Sequence, residues 1–99
     1  MNKQFFVYLL ASRKYGALYI GVTSDLIGRI YLHREDVLPG QTSRYHIHNL
    51  VYFEEHGSAE SAINREKQLK KWRRLWKLEL IEKDNPEWLD LYPGLLGAH

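Results

Sequence analysis

The 99-residue sequence contains no cysteine, only three prolines, no long apolar run and little net charge, with 14 Lys+Arg set against 12 Asp+Glu. Each shortage excludes something. Without cysteine there is no disulfide scaffold, no thiol nucleophile and no thiolate-ligated zinc or iron–sulfur centre, and the cytoplasm is the expected compartment. No segment approaches the ~18 consecutive apolar residues needed to cross a bilayer, and the run after Met1-Asn2-Lys3-Gln4 is too short for a signal peptide, so no membrane association is expected. The length suits one domain, expected over residues 1–93, with 94–99 as a frayed tail. The small net charge hides an uneven distribution. Arg65, Lys67, Lys70, Lys71, Arg73, Arg74 and Lys77 stand together with only Glu66 opposed, whereas residues 79–99 hold five acids and one base.

What is present reads as an α+β domain: a small, mostly antiparallel three-stranded sheet flanked by helices. The continuous run Phe5–Ala11 predicts a central strand covered on both faces. After the turn chemistry of Ser12–Gly16, Ala17–Thr23 predicts a second strand and a hairpin. Ser24 or Asp25 can cap a helix running to about Arg34, with Leu26, Arg29, Ile30 and His33 at helical spacing. The pattern fails from Glu35 to Asn49, around Pro39-Gly40, which predicts a loop with a short turn. Leu50–Glu55 then predicts a third strand. Ala59, Ala62, Ile63, Glu66, Leu69 and Trp72 recur at three- and four-residue steps, the clearest helical signal in the chain. Its phase shifts near Lys71-Trp72-Arg73, predicting a break and a further helix to about Lys83, ended by Asn85-Pro86.

Several residues could carry chemistry. Glu66 is an acid on the apolar stripe of its helix, and a buried carboxylate is costly unless it pairs with a cation or binds a metal. An ion pair with Lys70 or Arg65 accounts for it equally simply. Arg29 and His33 lie four apart on one helix face and can reach a common point, one as a donor fork for phosphate and the other as a proton carrier, or they form an ordinary solvated pair. Tyr8 and Tyr19 sit on adjacent strands. They share a face only if the paired positions sum to an odd number; otherwise a one-residue slip turns one away. Both also suit a core role with satisfied hydroxyls. His46-x-His48 lacks a nearby acid or third histidine in the sequence, so metal binding there is not expected. The basic block with Trp72 and Trp76 interleaved suits a phosphate-binding surface, although buried tryptophans under a solvated basic face explain it without base stacking. Arg44 and Tyr45 are loop residues that could touch a substrate.

In order, these residues resemble the GIY-YIG nuclease superfamily, in the small stand-alone branch similar to the N-terminal domain of the excision-repair incision subunit. Phe6-Val7-Tyr8 stands where the first motif lies, with Phe6 and Val7 replacing glycine and isoleucine, and Tyr19-Ile20-Gly21 is the second motif intact. Arg29, His33, Arg65-Glu66 and Asn85-Pro86 follow in the family's order. The resemblance implies a metal-dependent endonuclease acting on DNA, with RNA as an alternative, and a role in DNA repair. By that similarity Glu66 would be the protein ligand of Mg²⁺ or Mn²⁺, Arg29 would hold a phosphate oxygen, and Tyr8 would take a proton from the attacking water. Tyr19 and His33 would position or relay, with His33 the rival base, and Asn85 would orient an active-site group. Arg44, Arg65, Lys67, Lys70, Lys71, Arg73 and Arg74 would meet the nucleic acid. A monomer or weak homodimer is expected. The rival readings are a non-catalytic nucleic-acid-binding module using the 65–77 surface, and a protein-interaction domain marked by an exposed patch of Trp88, Leu91 and Tyr92.

Overall fold

The computed structural model describes residues 3–38 and 40–97, with only the backbone of Gln41; Pro39 and the last two residues of the expected tail lie outside the described residues. The elements are β1 (Phe5–Ala11), β2 (Leu18–Thr23), α1 (Leu26–Arg34), α2 (Gln41–Arg44), β3 (Asn49–His56), α3 (Ala59–Lys71), α4 (Arg74–Asp84) and α5 (Tyr92–Leu95). The three strands form an antiparallel sheet in the order β2-β1-β3, so the apolar run at 5–11 is central as its composition predicts.

Alternation along β1 divides the core. Val7, Leu9 and Ala11 face α3 and α4, packing with Ile20, Val51, Ala62, Leu69, Ile81 and Trp88. Tyr8 and Leu10 face α1, packing with Leu26, Ile30, Ile47 and Leu50. Both faces are covered, which is why β1 is apolar apart from the Tyr8 hydroxyl: at about 25 cal/mol per Å² of buried apolar area, its side chains are a main stabilising contribution. The β1–β3 ladder shifts register between Leu9 and Leu10, pairing them with Tyr52 and Leu50 and leaving Val51 as the extra residue, so that Val51 and its neighbour Tyr52 both pack on the α3-side cluster.

The helices start and stop for local reasons. Asp25 caps α1, its carboxylate accepting from the Gly28 amide at 3.1 Å, and Ser58 caps α3 through the Ser61 amide. Trp72 and Arg73 are both extended, with ψ of 149° and 147°, and this two-residue interruption redirects α3 into α4, as the phase shift predicts. On α3 the buried stripe runs through Ala62 and Leu69 with Glu66 between them; Ile63, expected on that stripe, is 42% exposed. The tail docks more tightly than expected. Gly94 and Leu95 are helical, Leu95 packs on the α1-side core, and Asp90 holds the Leu50 amide and Arg34.

Candidate active site at the β2 edge

The register of the hairpin pairs Tyr8 with Gly21 and Leu10 with Tyr19, so paired numbers sum to 29 and both tyrosines share a face. They are diagonal neighbours, with ring centroids 6.3 Å apart. Gly21 has a specific steric task. A Cβ at that position would lie 2.4 Å from the Tyr8 hydroxyl oxygen, so only glycine lets the phenol cross β2 toward the sheet edge.

At that edge α1 supplies the next groups. The Tyr8 hydroxyl and His33 Nε2 are 3.0 Å apart, and His33 Nδ1 is 3.1 Å from the Thr42 hydroxyl. Tyr19 completes the cluster, its ring centroid 5.3 Å from that of His33. Burial raises the Tyr8 phenol well above its usual value, and Tyr19 and Glu66 add to the effect while Arg29 opposes it. Burial also pushes the His33 imidazole below 6.5, with the charges of Arg29 and His48 acting in the same direction. These opposite shifts keep Tyr8 protonated and His33 neutral at neutral pH, and with the imidazole proton on Nδ1 the Tyr8 O–H donates to Nε2 while Nδ1–H donates to the Thr42 hydroxyl.

Glu66 reaches the same region from the other sheet face because α3 packs over β1 and β2. Its side chain is 20% exposed, and its one ion pair among the described residues is a loose one with Lys70 at 3.4 Å. Oxygen lone pairs therefore remain free, which suits a hard divalent cation that keeps most of its waters. Arg29 is half-buried beside the Tyr8 phenol and forms no ion pair among the described residues, so its charge is left for an anion. Two open concavities border β2. One, of 240 Å³, is lined by Tyr19, Lys70 and Lys77; the other, of 460 Å³, by Asp25, Gly28, Arg29 and Tyr31 among others.

Other expected site residues are placed differently. Asn85 is buried, and its amide donates to Val51 O and Leu89 O while its oxygen accepts from Leu89 N, so its hydrogen bonds go to backbone and none to the active-site side chains. Arg65 is bound to Glu54 and lies over the Trp72 ring, and Arg74 donates to the carbonyls of Tyr15 and Gly16. Lys67, Lys70, Lys71, Arg73 and Arg44 are exposed. Trp76 is 47% exposed, contrary to a core role, whereas Trp88 is buried and Leu91 and Tyr92 pack on the α1-side core, leaving no exposed patch of those three. Thr42 escaped sequence reasoning, since nothing distinguishes one threonine in a polar loop. Gly21 was detectable: a glycine inside a strand signals close approach.

Comparison with known proteins gives the fold and the family. The solution NMR structure of a UPF0213 protein from Bacillus halodurans matches with a TM-score of 0.55 and 24% identity over 91% of this chain and 95% of that one, which establishes the shared fold. No curated protein shows significant similarity. Residues 4–79 match the family model described as the GIY-YIG catalytic domain, a span holding Tyr8, Tyr19, Arg29, His33 and Glu66, and the chain therefore belongs to the GIY-YIG nuclease family.

Proposed function

We propose that the protein is an endonuclease that hydrolyses DNA phosphodiester bonds with Mg²⁺ or Mn²⁺ held by Glu66. The observation that carries this reading is the Tyr8–His33 hydrogen bond at 3.0 Å, with Arg29 and Glu66 both close enough to alter the Tyr8 phenol. Arg29 binds a non-bridging oxygen of the scissile phosphate through its planar fork. Water attacks phosphorus in line, and the P–O bond to the leaving oxygen breaks on the opposite side. The water's proton passes to the Tyr8 oxygen as the Tyr8 proton moves to His33 Nε2, so the phenolate never accumulates. The resulting imidazolium is disfavoured beside a bare Arg29, but a phosphate bound to that arginine neutralises the repulsion. When bound, the cation supplies charge stabilisation at the phosphate and leaving oxygen. Tyr19 packs against His33 and fixes its ring. Lys67, Lys70 and Lys71 attract the flanking backbone, an attraction that weakens with salt.

The test is a cleavage panel of single-stranded, duplex and branched DNA and of RNA, with Mg²⁺ or Mn²⁺ and with EDTA. Metal-dependent cleavage of DNA that disappears in Glu66→Ala, with the circular dichroism spectrum unchanged, is expected. Salt-sensitive binding without cleavage under any metal would replace the nuclease by a binding module.

A further inference from the structure

The loop between α1 and β3 brings together three donors that the sequence keeps apart. Asp36 follows α1, and His46 and His48 precede β3, yet their ligand atoms all lie within 4.8 Å of one another. The acid that the His46-x-His48 pair lacks in the sequence is thus supplied by the fold. His48 Nε2 is 2.7 Å from Asp36 Oδ1, and the two imidazole centroids are 5.8 Å apart.

We propose that Asp36, His46 and His48 form a binding site for a transition-metal dication of the Zn²⁺ type, separate from Glu66. Two imidazoles and a carboxylate are a donor set for Zn²⁺, Co²⁺ or Ni²⁺, whereas Mg²⁺ prefers oxygen alone. Donors about 2.1 Å from a tetrahedral zinc lie roughly 3.4 Å apart, so the present separations need only small side-chain rotations. Asp36 and His48 are 39% and 25% exposed and His46 is also exposed, so an ion has a route in.

The backbone beneath the donors is fixed. Ile47 is fully buried between the histidines, and its amide donates to Thr42 O at 2.9 Å; the Asp36 amide donates to His33 O. Asp36 and His46 both have positive φ, 54° and 53°, a conformation that costs free energy. An ion here would tie the end of α1 to the start of β3 and enclose α2, which carries Thr42. The site would therefore steady the hydroxyl that orients His33 without belonging to the hydrolytic centre.

The experiment titrates untagged full-length protein with Co²⁺, read by visible absorption, and with Zn²⁺, read by calorimetry and by the thermal unfolding midpoint. Wild type and Glu66→Ala are expected to bind one equivalent with equal affinity and to unfold at a higher temperature when loaded. His46→Ala and His48→Ala, each at a solvent-accessible position, are expected to weaken binding by more than about tenfold and to lose the thermal shift. Absence of saturable binding by wild type below roughly 0.1 mM metal overturns the proposal. So does binding that persists in both histidine variants, or that vanishes in Glu66→Ala. None of these readouts depends on nuclease activity, so the site stands or falls apart from the proposed function.

Discussion

The two edges of the sheet carry the same four residue types in opposite states. On the β3 side, Glu54 accepts from the Tyr52 hydroxyl, from His56 at 2.6 Å and from Arg65 at 3.0 Å, so every group has its partner. Burial alone would raise the Glu54 carboxyl, but those donors hold it below its ordinary value, and burial with Glu54 beside it pushes Tyr52 up to about 12. On the β2 side, Tyr8, His33, Arg29 and Glu66 are brought close, yet the arginine and the glutamate are not paired with each other. The charges there are assembled and left unspent. Residue identity is therefore no guide to a reactive site; what separates a scaffold from a candidate catalytic cluster is whether the charged groups already satisfy one another.

The sharpest way to break this comparison is to neutralise each glutamate in turn. Glu66→Gln is expected to lower cleavage by at least about 10³-fold, the scale of losing a cation ligand, with little change in stability because its pair with Lys70 is loose. Glu54→Gln is expected to do the reverse, costing about 2 kcal/mol in urea unfolding while cleavage persists. Equal behaviour of the two variants in both assays would erase the distinction. The arginines follow with smaller effects. Arg29→Ala should reduce kcat about 10²-fold, whereas Arg65→Ala should cost roughly 1 kcal/mol of stability and leave kcat alone.

A finer prediction concerns Thr42, which has no counterpart on the β3 side. Thr42→Val removes the acceptor for His33 Nδ1–H and is expected to lower kcat about tenfold and to alter its pH profile, while Thr42→Ser restores both. A valine variant with wild-type kinetics would remove Thr42 from the relay.

The smallest effect is on stability against pH. His33 is depressed below 6.5, so the unfolded chain binds its proton first, and stability should fall as pH drops below about 6.5 until the folded value is reached. Glu54 is also depressed, so its contribution is present above the ordinary carboxylate value of about 4.3 and is lost as pH falls further through the folded value. Thermal melts should resolve two windows, the upper one disappearing in His33→Gln and the lower one in Glu54→Gln.

Much of this was legible in the chain itself. The central strand, the capped α1 and the break at Trp72-Arg73 follow from apolar periodicity and capping chemistry, which act over a few residues, while the ordered set Tyr8, Tyr19, Arg29, His33 and Glu66 stands out through its resemblance to the family's motifs. Spacing alone places Ile63 on the buried stripe, because it gives the period of a helix but not the rotation that packing selects. Which arginines are unpaired, whether Tyr8 and Tyr19 share a face and whether His46 and His48 have an acid beside them were decided only by tertiary structure. Register, the passage of a phenol over Gly21 and the return of a loop from α1 to β3 bring together groups far apart along the polymer. Long-range Coulomb energies and hydrogen bonds exist only once those distances are set.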